Sequence, residues 1–271
     1  MFTTIINDCR DDNARARQES RVGSLLQTSV SFIGVQSDLE AGVQLIDILD
    51  ATEGRPGLIL VNVAPRGGHT TKWENGTPFG YFYYHNTLVV SSVDGFALSA
   101  VKKLGLINSI ELLDTHTAAA TMEQAGFISK AAAAHIPLTQ FRSFDFIPRA
   151  GAYLLQGKEL PSVSYDLATT QELPPAIWHI DSFGNCKTTL TKNDIDSTGK
   201  IATRYGDFPF VEQLRNLPDH NTALVEGSSG LGETRLLELM TQRANFAGQF
   251  NAYIGDDVFQ ADQSYFSRAT N

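Results

Sequence analysis

GLILVNVAPRGGHTT, residues 57–71, decides the reading of the fold. Gly57 to Val63 is a nearly continuous apolar run of the kind that a strand covered on both faces needs, and it ends in a loop of small and polar residues. Working outward, Phe2 to Ile6 reads as a strand, Ala14 to Gln27 as a helix and Ser29 to Val35 as a second strand. Leu39, Val43, Ile46 and Leu49 then recur at helical spacing over Asp38 to Leu49, with Ser37 placed to cap the first turn. Downstream, Phe79 to Val90 gives aromatic and β-branched strands broken near Asn86. Val93 to Leu104 predicts a helix, Ser109 to Leu113 a strand, and alanine-rich Thr117 to His135 one strong helix. Such alternation predicts an α/β fold with a mostly parallel sheet, an N-terminal α/β sandwich domain over residues 1–157.

GKELPSVSYDLATTQELPP, residues 157–175, carries three prolines and no sustained period, which places a domain boundary there. Beyond it the signals become short strands at Ala176 to Ile180, Lys187 to Leu190 and Ala223 to Glu226. The expected second domain, residues 174–271, is small and mainly β.

Composition narrows the function classes. With 42% hydrophobic and 19% charged residues the chain is globular in type. A formal net charge of -9 repels phosphate backbones, so no nucleic-acid partner is expected. No apolar run approaches a bilayer span, so no membrane partner is expected either. Two cysteines, Cys9 and Cys186, argue against a disulfide framework. The start, MFTTIINDCRDDNAR, lacks the basic segment and apolar core of a signal peptide, and the expected location is the cytoplasm. The six histidines are scattered with no H-E-x-x-H or C-x-x-C pattern, so no metal site is expected. GSSGLGET, residues 227–234, nearly satisfies the phosphate-loop pattern, but Glu233 stands at the lysine position and would repel phosphate.

Three polar loops stand at strand ends: DCRDDN (residues 8–13), APRGGHTT (64–71) and DSFGN (181–185). In open α/β sheets ligands bind outside the carboxyl ends of the strands, which is where the first two fall. In sequence order, residues 4–38 (TIINDCRDDNARARQESRVGSLLQTSVSFIGVQSD), GLILVNVAPRGG, LVVSSVDGFALSAVKKLG (88–105), FRSFDFIPRAGAYLLQG (141–157) and HIDSFGNCKTTL (179–190) together resemble the S-adenosylmethionine hydroxide adenosyltransferases, relatives of the fluorinating and chlorinating enzymes. The match to that family's I-D-x-F-G-N-x-x-T-N signature is the most specific of these.

The resemblance implies a small C-terminal β-barrel, a homotrimer with sites shared between subunits, and S-adenosylmethionine as substrate with no further cofactor. It implies that Asp8 accepts hydrogen bonds from ribose hydroxyls, a task suited to the paired oxygens of a carboxylate. It implies that Phe183 packs on adenine with Asn185 beside it, and that Asp181 faces the methionine ammonium. Ser228 and Ser229 would supply contacts to the base edge, and Pro65 and Phe141 are further substrate-binding positions.

The catalytic positions depart from the family's Asp, Arg and His around the attacking water: Ala64, Thr71 and Arg142 stand there instead. In an alternative register, Phe127-Ile128-Ser129-Lys130, histidine is absent too. A positioned base contributes roughly 10²–10⁴ in rate, so another arrangement is required for turnover. Ser143 falls where the halide-using relatives place a serine, yet Ala64 and Gly67 replace their tyrosine and threonine. In the first loop Arg10 replaces glycine and Asn13 replaces aspartate. Arg66, His69, Lys72 and Arg142 are the nearby basic groups, and the expected catalytic set is Arg142, Lys72 and Ser143. Displacement at the 5′ carbon is the expected reaction; a non-catalytic adenosine-binding protein or sensor is the alternative.

Overall fold

Strand β1 (Phe2–Asn7) leads through α1 (Asp12–Leu26) into β2 (Ser31–Gly34), and α2 (Asp38–Thr52) carries the chain back to β3 (Gly57–Asn62). β1 pairs in parallel with β2 on one side and β3 on the other. Both helices begin as local chemistry dictates. Asp11 accepts the Ala14 N–H and Ser37 the Glu40 N–H, each satisfying a donor that the first turn leaves free. The structure is a computed structural model and describes residues 1–65, 77–195, 199–260 and 265.

After β3 come β4 (Phe79–Tyr84), β5 (Thr87–Ser92), α3 (Ser99–Lys103) and β6 (Ser109–Leu113). Helices α4 (Thr115–Gln124), α5 (Lys130–His135), α6 (Arg142–Asp145) and α7 (Ile147–Leu155) then lead to β7 (Ser162–Asp166). The seven strands form one sheet in the order β2-β1-β3-β5-β4-β6-β7. The expected parallel pairing holds for β2, β1, β3 and β5 only; β4, β6 and β7 join antiparallel, so the sheet is mixed. The cause lies at His85–Asn86, where a two-residue connection turns β4 straight back into β5 with His85 at φ 50°. Along β3, Leu58 and Leu60 join a cluster with Ile5, Leu88, Val22 of α1 and Tyr153 of α7. The intervening Ile59 and Val61 are equally buried on the other face, where α2 packs. That two-sided burial is why the run reads as unbroken apolar sequence.

Three expectations in this half need correction. The alanine-rich helix expected over Thr117 to His135 is two helices, because Gly126 turns left-handed (φ 68°) and Ser129 caps α5 afresh. The helix expected from Val93 begins only at Ser99, because Gly95 also takes a positive φ of 65° and starts a turn. Within the proline-containing stretch at residues 157–175, SVSYD forms edge strand β7, paired with β6 and tied to it by Ser162 Oγ donating to Glu111 at 2.6 Å.

Two compact units divide the chain, Met1–Glu172 and Leu173–Asn271. The second contains β8 (Ile177–Ile180), β9 (Cys186–Thr188), β10 (Lys200–Thr203), β11 (Gly206–Val211), β12 (Thr222–Leu231), β13 (Thr234–Thr241) and α8 (Phe246–Phe250). They form a six-stranded sheet, order β10-β11-β12-β13-β9-β8, antiparallel except for β11 with β12. Its core gathers Ile177, Cys186, Leu224, Leu237, Leu239 and Phe246. The stretch Arg235 to Arg243 has a helical look by sequence, in conflict with the strand that the resemblance implies there; it is largely strand β13, whose Leu237 and Leu239 are fully buried. Pairing with β12 overrides propensity there. The phosphate-loop look-alike at residues 227–234 is the bulged end of β12 and its hairpin turn, with Gly230 at φ 128°.

Candidate functional site

At the carboxyl edge of the first sheet, β1 and β3 lie side by side while their following connections part. α1 leads from β1 toward β2, on the side away from β3, which makes this the crevice where α/β sheets bind ligands. Buried Asn7 fixes how the chain leaves β1. Its amide donates to Gln18 at 2.7 Å, and its Oδ1 accepts the Cys9 N–H at 2.8 Å and the Asn62 amide at 3.4 Å. Asp8 is thereby held against the end of β3: its N–H donates to the Asn62 carbonyl and its Oδ2 accepts the Ala64 N–H at 3.0 Å. Oδ1 and the remaining lone pairs of this half-buried carboxylate can take further donors.

Pro65 stands against a second, acidic element that sequence reasoning missed. A Cβ on Gly95 would lie 2.1 Å from Asp38 Oδ2 and 2.8 Å from Pro65 Cγ, so only glycine lets these groups meet. Asp38 is buried and accepts the Phe96 N–H at 2.7 Å. Burial pushes its carboxyl above the ordinary range and Asp94 pushes the same way, while the backbone N–H bonds pull back. Its sequence signals were the Asp-Gly pair closing an apolar strand and an Asp following the Ser37 cap.

Arg142 opens α6 with its guanidinium 5.4 Å from the Phe79 ring centroid. Phe79 pairs with Ser92 at the end of β5, so Arg142 lies on this same carboxyl edge. Burial lowers its pKa, yet guanidinium remains charged at any ordinary pH. Ser143 follows it, half-buried, and Phe141 precedes it with 68% of its surface exposed. Lys72, together with Arg66, Gly67, His69 and Thr71, lies outside the described residues.

In the second unit, residues 181–185 form one self-closed turn. Asp181 Oδ1 accepts the N–H groups of Phe183 and Asn185, both at 2.9 Å, and Oδ2 accepts the Asn185 amide at 3.0 Å. Burial by itself would raise the Asp181 pKa; the bonds from Asn185 and Phe183, with Lys187 nearby, outweigh it and hold the carboxylate ionised. Gly184 sits at φ 83° directly against Asn245, and its carbonyl accepts the Ala247 N–H of α8 at 2.9 Å. The turn is therefore braced from beneath, and it presents Phe183 outward, 77% exposed.

Ser228 and Ser229 on β12 are joined to this turn's neighbourhood by Lys187, which sequence reasoning also missed. Lys187 Nζ donates to both hydroxyls at 3.0 Å and lies 3.6 Å from buried Glu238. The Ser228 N–H already donates to Glu238 at 3.2 Å, so this backbone group is engaged within the sheet. Asp181, Phe183 and Asn185 thus share one loop, Ser228 and Ser229 share one lysine, and Asp8 meets the Ala64 backbone. Among the described residues no group of three or more histidine, cysteine or carboxylate side chains is placed to hold a metal ion. No helix among them is long and apolar enough to cross a membrane.

No protein-family model matches the chain, and no curated protein does. Among solved structures it is similar to an uncharacterized conserved protein from Thermotoga maritima, with TM-score 0.64 and 13% identity over 94% of this chain and 98% of that one. It is also similar to a conserved hypothetical protein from Thermus thermophilus, with TM-score 0.55 and 16% identity over 93% of this chain and 96% of that one. At these identities the likeness shows a shared α/β fold.

Proposed function

We propose that the chain is a divergent relative of the S-adenosylmethionine hydroxide adenosyltransferases, holding S-adenosylmethionine or a close adenosine relative. The observation that carries this reading is Phe183, an aromatic held 77% exposed on a turn that is locked from below. An apolar ring kept in water by a rigid loop is suited to stacking on a flat base. Asp8 offers free carboxylate lone pairs at the carboxyl edge for a ribose diol. The same proposal carries a closed barrel for the second unit, a cytoplasmic location, and a homotrimer whose sites combine one subunit's first unit with the next subunit's second.

The proposed reaction is displacement at the 5′ carbon, with methionine leaving as a neutral thioether. With water as nucleophile, the new C–O bond replaces the C–S bond and a proton is released to solvent, giving adenosine and methionine. Arg142, as a cation, does not serve as the base; its proposed role is to hold an anionic nucleophile in line with the sulfur, together with Lys72 and Ser143. Alignment in a dry cleft supplies the larger part of such a rate. The second reading, binding without turnover, is favoured by the sequence itself: Ala64, Thr71 and Arg142 occupy the positions at which the resemblance implies Asp, Arg and His around the attacking water.

Incubating the purified full chain with S-adenosylmethionine and quantifying adenosine tests both readings. Adenosine release that Arg142→Ala abolishes, with adenosine binding retained, is the expected result. Release unaffected by Arg142→Ala and Lys72→Ala would overturn the catalytic assignment. Binding with no release selects the second reading. Absence of any thermal shift with S-adenosylmethionine or adenosine at millimolar concentration would remove the ligand assignment altogether.

A further inference from the structure

Helix α1 presents Arg17, Ser20, Arg21 and Ser24 at spacings of three and four residues, along one side of the helix. Gln18 and Val22, on the adjoining side, are buried. The stripe lines a surface groove of about 430 Å³ that is walled on its other side by Phe144. Both guanidinium groups stack on that ring, Arg17 at 4.5 Å and Arg21 at 4.0 Å from its centroid. Their planes are thus held in place by an aromatic face.

The neighbouring carboxylates are committed elsewhere. Asp145 contacts Arg149 at 3.9 Å and His135 at 3.4 Å and accepts the Thr139 hydroxyl at 2.9 Å. Glu19 is paired with Arg15 at 3.1 Å. Arg21 Nη1 is shielded from water with no hydrogen-bond partner among the described residues. Arg149, whose pKa is lowered first by burial and then by Arg21, adds a like charge beside it. A chain of net charge -9 has carboxylates in surplus, yet the fold sets these two guanidinium groups on an aromatic ring instead of on one of them.

We propose that the groove between α1 and Phe144 binds a phosphate-class oxyanion, either free orthophosphate or the phosphomonoester of a small soluble molecule. Two guanidinium forks and the Ser20 hydroxyl offer more donors than a carboxylate has sites to use, whereas a tetrahedral dianion can accept from all three side chains. The Ser24 hydroxyl is committed, donating to the Arg21 carbonyl at 2.9 Å. The groove volume lies in the range of small-molecule sites and exceeds what a bare phosphate fills. Phe144 supplies an apolar wall for the ester's organic part. The site is separate from the adenosine reading and stands without it.

The test uses the full chain in thermal-shift and calorimetric titrations with orthophosphate and phenyl phosphate, against sodium chloride at matched ionic strength. Wild type should show a saturable rise in melting midpoint with both phosphates and none with chloride. Arg17→Gln combined with Arg21→Gln should weaken orthophosphate binding by about tenfold or more, the loss expected for charge-assisted hydrogen bonds. Because that pair packs on Phe144, Ser20→Glu provides an independent arm at an exposed position. Its carboxylate should occupy the groove, raise the melting midpoint without phosphate and abolish the phosphate response, while the response to adenosine stays as in wild type. An equal response of wild type to chloride and phosphate, or an undiminished phosphate response in Ser20→Glu, would overturn the proposal. Retention on phosphatidic acid vesicles that depends on Arg17 and Arg21 would overturn the soluble-ligand assignment.

Discussion

Phe183→Ala should weaken adenosine binding while leaving the fold nearly intact, and both halves of that statement have magnitudes. The ring is 77% exposed, so the fold covers only about a quarter of it. A buried aromatic removes roughly 200 Å² from water at about 25 cal/mol per Å², so the covered part contributes about 1 kcal/mol at most. Base–aromatic stacking, in contrast, is worth about 1–3 kcal/mol by alanine substitution, or about 5- to 150-fold in Kd. Urea unfolding without ligand and calorimetric titration with adenosine read the two quantities separately. Equal adenosine affinity in variant and wild type would refute the stacking role. A stability loss well above the covered-area limit would show instead that Phe183 is a packing residue.

Gly184→Ala should destabilise the second unit by about 2–3 kcal/mol, from the left-handed backbone and the displaced Asn245 cap of α8; an unchanged urea midpoint would contradict the bracing of the turn. Asp38→Asn should flatten part of the pH dependence of stability. Because the folded-state pKa is raised, the Asp38 carboxyl's contribution is fully present below about pH 4 and declines as pH rises toward the folded-state value. The variant should therefore gain on wild type through that window in a series of unfolding curves, and parallel curves would show that burial is not shifting the group.

Local signals were legible where one face or one turn decided the outcome. GLILVNV announced β3 because both of its faces are covered, and Ser37 announced α2 because the cap acts within three residues. The DSFGN turn was legible for the same reason, since Asp181 closes it within four positions. What escaped notice depended on distant partners. β13 carries leucines at a spacing that suits a helix, and only its pairing with β12 and β9 makes it a strand. SVSYD lay hidden in a proline-rich stretch because an edge strand needs few apolar residues and takes its order from β6. Asp38 and Lys187 owe their roles to distant partners: the Asp-Gly pair and the Ser37 cap mark where Asp38 stands, but only the fold brings Gly95 to it and Ser228 and Ser229 to Lys187.

That difference in sequence distance also bears on how the site can diverge. In the second unit the turn's geometry comes from side chains: Asp181 and Asn185 make the bonds, and a change at either dismantles the presentation of Phe183. In the first unit, Asp8 is tied to residue 64 through the backbone N–H of Ala64, across 56 positions. The exposed side chain of Ala64 takes no part in that bond, so aspartate or alanine there leaves the tie in place. A catalytic group can therefore be lost or exchanged at this position with little structural cost, while the turn that carries the aromatic tolerates almost no change. Under the proposed relationship, a DSFGN turn beside alanine at residue 64 is what this asymmetry would produce, and it makes ligand binding the more durable of the two functions proposed for this fold.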